Sequence, residues 1–147
     1  MIGPFPLAET ILHIQQHAPL FRLVSHAADL QAAIDQAPPV FPAVYVVRQE
    51  RGRPSAGASG GVLIQQVDVD LICVLYVKNV ASPASGSRVA KDMDVIAGQL
   101  RDALLNWSPV AGMEPITFNA SRDQSHKNGL LIAQELYRSR YRIEVRP

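Results

Sequence analysis

Val62-Leu63-Ile64-Gln65-Gln66-Val67-Asp68-Val69-Asp70-Leu71-Ile72-Cys73-Val74-Leu75-Tyr76-Val77-Lys78 is the stretch on which the fold turns. From Val67 onward its odd positions (Val67, Val69, Leu71, Cys73, Leu75, Val77) are all apolar. Its even positions change character, polar at Gln66, Asp68 and Asp70 and then apolar at Ile72, Val74 and Tyr76. Side chains alternate across a strand, so this pattern describes one strand, half-exposed where it starts and buried on both faces where it ends. Fully extended it would span about 55 Å, well beyond an ordinary strand, so a bend, a bulge or a projecting first half is expected. Burial of both faces demands a layer on each side of the sheet.

Outward from that strand, the chain supplies those layers. Ala43–Gln49 is rich in β-branched and aromatic residues and predicts a strand. Residues 50–61, dominated by Gly, Ser, Arg and Pro, predict a flexible loop between the two. Towards the N-terminus, Leu7, Ile11, Ile14 and Ala18 recur at helical spacing until Pro19, and Leu20–Ser25 reads as a short strand. Ala27, Leu30, Ala33, Ile34 and Ala37 then share a helical face, with Ser25 as a candidate N-cap and Pro38-Pro39 as the stop.

Past Lys78, a small loop at Ala81–Gly86 leads to the strongest amphipathic helix. Val89, Met93, Ile96, Ala97, Leu100, Ala103, Leu104 and Trp107 lie on one side of it, Ser87 is its candidate cap, and Pro109 follows it. Pro115–Ala120 and Leu130–Val145 predict two further strands around a polar turn at Ser121–Gly129. The last strand places Leu131, Ala133, Tyr137, Tyr141, Ile143 and Val145 on one face, against Arg138, Arg140, Arg142, Glu144 and Arg146 on the other. The order α-β-α-β-β-α-β-β predicts one α+β domain over residues 1–147. Its sheet of about five strands should be mostly antiparallel or mixed, with helices packed on it.

Composition narrows the function. The 147 residues are 48% hydrophobic and 18% charged, enough for one core and far from a disordered balance. A formal net charge of +1 argues against sequence-independent DNA binding as the main activity. Cys73 is the single cysteine, so no internal disulfide is possible and a reducing compartment is expected. The N-terminus does not read as a signal peptide, and no apolar run reaches the roughly 18 residues of a membrane span.

Each candidate for chemistry has a plainer explanation. His13 and His17 stand one helical turn apart, half a metal site, but both project off the apolar face and no glutamate completes a zinc pattern. A solvated helix flank is expected there, and His126 falls in a polar turn. Asp68 and Asp70 point to one side of their strand, about 7 Å apart, as an acid–base pair could. Cross-strand pairing with arginines such as Arg138, Arg140 and Arg142 is the favoured reading of them. Cys73 lies among apolar neighbours as a buried thiol would. Ser59-Gly60-Gly61 lacks both the Walker lysine and the dinucleotide-binding spacing. The expectation is therefore no catalytic residue, no metal and no cofactor. Two surface features remain: the loop with Arg48, Arg51, Arg53, Ser59 and Gly60, and the charged face of Asp68, Asp70, Arg138, Arg140 and Arg142.

The order of these elements resembles the tail terminator proteins of long-tailed bacteriophages. The likeness runs through Pro19-Leu20-Phe21-Arg22-Leu23-Val24, Ala27-Ala28-Asp29-Leu30 and Phe41-Pro42-Ala43-Val44-Tyr45-Val46-Val47. It continues through the Gly-rich loop, Gln65-Gln66-Val67, Leu104-Leu105-Asn106-Trp107-Ser108-Pro109 and the final arginine-containing strand. The resemblance implies a structural protein that caps the head-proximal end of the tail tube as a hexameric ring. Such a ring stops tube polymerisation and offers a surface to the neck or connector. Implied partners are further copies of the chain, the tail tube protein and a head-proximal connector protein, with DNA only as passing cargo and no membrane. Implied locations are the host cytoplasm during assembly and then the virion tail. Two alternatives stay open, a neck or head-completion adaptor and a small-molecule enzyme or ligand-binding domain.

Overall fold

A computed structural model describes residues 2–35, 37–55, 60–79, 87–127 and 129–147. The elements run α1 (Leu7–His17), β1 (Leu23–His26), α2 (Leu30–Asp35), β2 (Ala43–Gly52), β3 (Leu63–Lys78), α3 (Ser87–Leu104), β4 (Thr117–Lys127) and β5 (Leu130–Val145). The five strands form one mixed sheet in the order β1-β2-β3-β5-β4. β1 runs parallel to β2 through the α2 crossover, and every other pairing is antiparallel. The described residues thus form a single α+β domain with three helices, as the periodicities indicate.

The long central stretch is one strand, and it neither bends out of register nor bulges. β3 pairs with β5 continuously from Leu63↔Val145 to Lys78↔Leu130, and with β2 from Ala43↔Tyr76 to Gly52↔Val67. The irregularities fall in β4 instead, between Phe118 and Ala120 and between Asp123 and Ser125. An edge strand can absorb an extra residue at the cost of one ladder, whereas a bulge in β3 would break two.

β3 is buried on both faces over its second half, as its pattern requires. On one face Val69, Leu71, Cys73, Leu75, Val44 and Val46 pack beneath α1 and α3, against Ile14, Met93, Ile96, Leu100 and Leu104. Leu71, Leu75, Leu100 and Leu104 are fully buried, each worth about 1.5–3 kcal/mol over an exposed side chain. On the other face Tyr45, Val47, Ile72, Val74 and Tyr76 pack with Ala27 and Ala33 around the much smaller α2. Only the half of this second face that carries apolar side chains lies against the helix. The other half carries the charges of the candidate site.

Several boundaries depart from expectation. The helix predicted over Ala27–Ala37 is only Leu30–Asp35, because Ser25 pairs with Tyr45 in the parallel ladder. Asp29 takes over as the cap, its Oδ1 accepting from the Ala32 amide at 2.8 Å. β1 starts at Leu23 rather than Leu20, since the Leu20 amide turns to the Gln99 side chain. α3 stops at Leu104: Asn106 takes a left-handed φ of 65°, and Trp107 leaves the helical face to fold back over α1. Glu50, Arg51 and Gly52, expected in the loop, extend β2 opposite Val69, Asp68 and Val67. Most of the presumed turn Ser121–Gly129 is strand, polar because β4 is an edge whose side chains face water. The Ala81–Gly86 loop, residues 56–59, and the side chains of Ser87 and His126 lie outside the described residues.

Candidate docking surface

The exposed half of the second sheet face is a ladder of opposite charges. Asp68 stands opposite Arg51 on β2 and Arg140 on β5, and Asp70 opposite Gln49 and Arg138. Directly opposed residues share a face, so the register alone assembles the cluster. The Asp68 Oδ1 accepts from Arg140 Nε at 2.9 Å, and its Oδ2 accepts from Arg53 Nε at 2.8 Å. Asp70 Oδ1 accepts from Arg138 Nε at 3.2 Å. The two hydrogen bonds, Arg53 first, hold the Asp68 carboxyl below its ordinary range, and the Asp68 hydrogen bond raises Arg53. Such half-exposed pairs contribute little stability, a median of about 0–1 kcal/mol. What they fix is the direction of each guanidinium.

These side chains line a cleft of about 300 Å³, together with Glu114, Pro115, Thr117 and Ser139. The segment after α3 closes one wall, tied to β5 by the Glu114 amide on Arg140 O at 2.8 Å and by Ser139 Oγ on Glu114 O at 2.7 Å. Glu114 and Thr117 escaped the sequence reading, because nothing in their local pattern says which strand they approach. The cleft draws Arg51 and Arg53 from the predicted loop, and Asp68, Asp70, Arg138 and Arg140 from the predicted face.

Three other candidates go elsewhere. Arg48 points to the opposite sheet face, where its Nη1 donates to Phe5 O at 2.7 Å. Beside it, Glu50 accepts from the Phe5 amide at 2.7 Å and from the Tyr141 hydroxyl at 2.8 Å. Arg48 therefore clasps the N-terminal segment and takes no part in the cleft. Arg142 lies beyond it, 3.9 Å from Glu144, in a separate hollow with Ile2 and Gly112. Gly60 forms the turn before β3 with a positive φ of 62°, and Ser59 lies outside the described residues.

The histidine pair stays on the helix flank, His17 exposed and His13 half-buried, but it is not free of contacts. His13 stacks on Trp107 with ring centroids 3.8 Å apart and on His17 at 4.1 Å, while its Nε2 reaches Ala103 O at 2.8 Å. Burial lowers the His13 pKa from 6.5. Sequence periodicity missed this because Trp107 arrives from beyond the end of α3. Among the described residues, no three His, Cys, Asp or Glu side chains gather as a metal site. Cys73 is fully buried, and burial pushes its thiol well up, away from the reactive thiolate.

One buried charge went unanticipated. Glu135 interrupts the apolar row of β5 and is buried at 2% exposure, accepting from Arg101 Nε at 2.6 Å and Nη2 at 3.0 Å. Arg101 also lies over the Phe118 ring, 4.4 Å from its centroid. This bidentate pair locks α3 to the β5–β4 side of the sheet.

The whole chain, residues 1–147, matches the family described as "Phage tail terminator protein". Among solved structures the fold is similar to a chain of the "Virion of native gene transfer agent (GTA) particle". The TM-score is 0.52 at 14% identity, covering 91% of this chain and 84% of that one. No curated protein matches the sequence.

Proposed function

The chain belongs to the phage tail terminator protein family, and from that premise we propose that it caps the head-proximal end of a tail tube as a ring of identical subunits. Capping stops addition of further tube protein, and the opposite side of the ring receives the neck or connector. The observation that carries this is the family match over all 147 residues. Six copies are the proposed stoichiometry, with DNA passing through the lumen.

The structure supplies the parts such a role needs. β4 is an edge strand whose outer backbone has no neighbour within the sheet, so it offers hydrogen-bonding groups to an adjacent subunit. Its Phe118 is 40% exposed, an apolar anchor at that edge. β1 forms the opposite edge, and heterologous contacts between unlike surfaces are the geometry from which rings close. The arginine cleft is a third surface, which reaches the β4 edge only at Thr117. The ion pairs of Asp68 and Asp70 with arginines support cross-strand pairing as the reading of these carboxylates.

Electron microscopy of tails assembled with and without the protein tests the proposal. Overlong, variable tubes are expected in its absence, together with six-fold rings at tube ends in its presence. Tails of normal, uniform length without the protein would reject the capping role. Binding to the connector and never to tube protein would move the chain to the neck.

A further inference from the structure

The arginines of the cleft differ from Arg101 in one respect. Arg101 gives both Nε and Nη2 to Glu135, so its donor edge is saturated. Arg53, Arg138 and Arg140 each make their carboxylate bond through Nε alone. Among the described residues their Nη groups have no hydrogen-bond partner, and the Arg51 side chain has neither a hydrogen bond nor an ion pair. A guanidinium carries five N–H donors in a planar fork, four of them on Nη. Three forks are thus aimed by Asp68 and Asp70 while their terminal donors stay open, and the same cleft holds a fourth, unpaired arginine.

We propose that this cleft is a receptor for a carboxylate side chain on an acidic segment of a partner protein. The inference rests on the reading that the chain works by docking to another protein, and it names the chemistry of that partner. A carboxylate offers two coplanar oxygens, which match the two-donor edge of an arginine fork. The aiming is already done by Asp68 and Asp70, so little arginine rotamer freedom is left to lose on binding.

Charge balance favours a protein carboxylate over a nucleic-acid backbone. The lining holds Arg51, Arg53, Arg138 and Arg140 against Asp68, Asp70 and Glu114, a surplus of one positive charge. One incoming carboxylate neutralises that surplus. A polyphosphate would bring a charge roughly every 1.7 Å of duplex and set several of them against three resident carboxylates. A net charge of +1 on the whole chain gives such a polymer no further attraction.

The test uses the full chain and a rhodamine-labelled Gly-Ser-Gly-Glu-Gly-Ser-Gly peptide, amidated at its C-terminus so that it brings one side-chain carboxylate, read by fluorescence anisotropy at low ionic strength. A labelled twenty-residue oligothymidylate is titrated in parallel. Saturable peptide binding is expected, weakened at least tenfold in Arg51→Gln/Arg138→Gln and unchanged in Arg88→Gln, which removes an exposed arginine from α3. Arg51→Lys/Arg138→Lys keeps the charge and loses the fork, so an intermediate loss is expected. Circular dichroism confirms folding of each variant, which the exposure of Arg51 and Arg138 favours. Absent saturable binding, an equal loss in Arg88→Gln, or tighter binding of the oligothymidylate through the same arginines would each overturn the proposal. None of these results touches tail length, so the capping role stands or falls separately.

Discussion

Tyr76→Phe isolates the bond that holds α2 on the sheet. α2 has six residues, far below the roughly 12–15 at which even good isolated helices become marginal, so its order comes from docking. The Tyr76 hydroxyl reaches both Ala33 O and Ile34 O at 2.6 Å, spanning the end of the helix from the floor of the sheet. Phenylalanine keeps the ring, its burial and its edge-on contact with Tyr45, so the apolar contribution is unchanged. What is lost is one hydrogen bond, about 1 kcal/mol net, and the partner of one buried carbonyl, about 1 kcal/mol more. Only Ala33 is fully buried, so the carbonyl penalty is counted once.

A destabilisation of about 2 kcal/mol should lower the urea midpoint by roughly 1 M at unchanged m, taking m near 2 kcal/mol/M. Hydrogen exchange should show the α2 amides losing protection beyond the global change, with β3 and β5 tracking it. A loss under about 0.5 kcal/mol with α2 protection intact would refute the account. The hydroxyl also has a pH signature. Burial pushes Tyr76 up to about 12 from 10.0, so the folded state prefers the neutral phenol. Its contribution is complete below pH 10.0 and is lost as pH rises towards 12, and Tyr76→Phe should make that fall shallower, Tyr141 keeping its own share.

Glu50→Ala orphans the Phe5 amide and the Tyr141 hydroxyl together, so the N-terminal segment should detach at a cost of about 2 kcal/mol. The Phe5 amide, bonded to Glu50 in the native chain, should then exchange with solvent about as fast as in an unstructured peptide, read by hydrogen exchange in NMR, and undiminished protection would refute the account. The His13–Trp107 stack should make Trp107 emission titrate with a midpoint below 6.5, and His13→Gln should abolish the transition. Because the folded pKa is depressed, the associated stability is present above pH 6.5 and lost as pH falls through the lower value.

The legible parts of this protein were those written in a single period. Alternation through Val67–Val77 located the central strand and its two-sided burial, and the Val89–Leu104 stripe located α3. The identity of its charge partners followed from one assumption, that the last strand pairs with the central one, and the register Asp68↔Arg140, Asp70↔Arg138 is that pairing. Features set by chain reversal were not legible. Arg48 ends a predicted strand and Arg51 lies in the loop predicted after it, but once β2 extends to Gly52 they fall on opposite faces, one on Phe5 and the other in the cleft. Trp107 reads as a helical core residue until the left-handed turn at Asn106 sends it to His13. Polarity misled at β4, since an exposed edge strand and a turn draw on the same residues. Glu135 was invisible because its compensating charge, Arg101, sits 34 positions away on another element.

The unbroken β3–β5 ladder also has a mechanical meaning. Antiparallel hydrogen bonds run perpendicular to the strands, so tension applied along these two sixteen-residue strands in opposite directions loads the whole ladder in shear, every bond sharing the force. Tension at a hairpin end would instead unzip bonds one at a time. The β4–β5 ladder, interrupted twice, and the short β1–β2 ladder of Leu23–His26 have no such shared length. A partner seated in the arginine cleft would pull on β3 and β5 side by side, near the ends of the strands away from α2. Force entering there would act on two strands held to each other along their whole length, and the short or interrupted outer ladders would be left to deform at the rims.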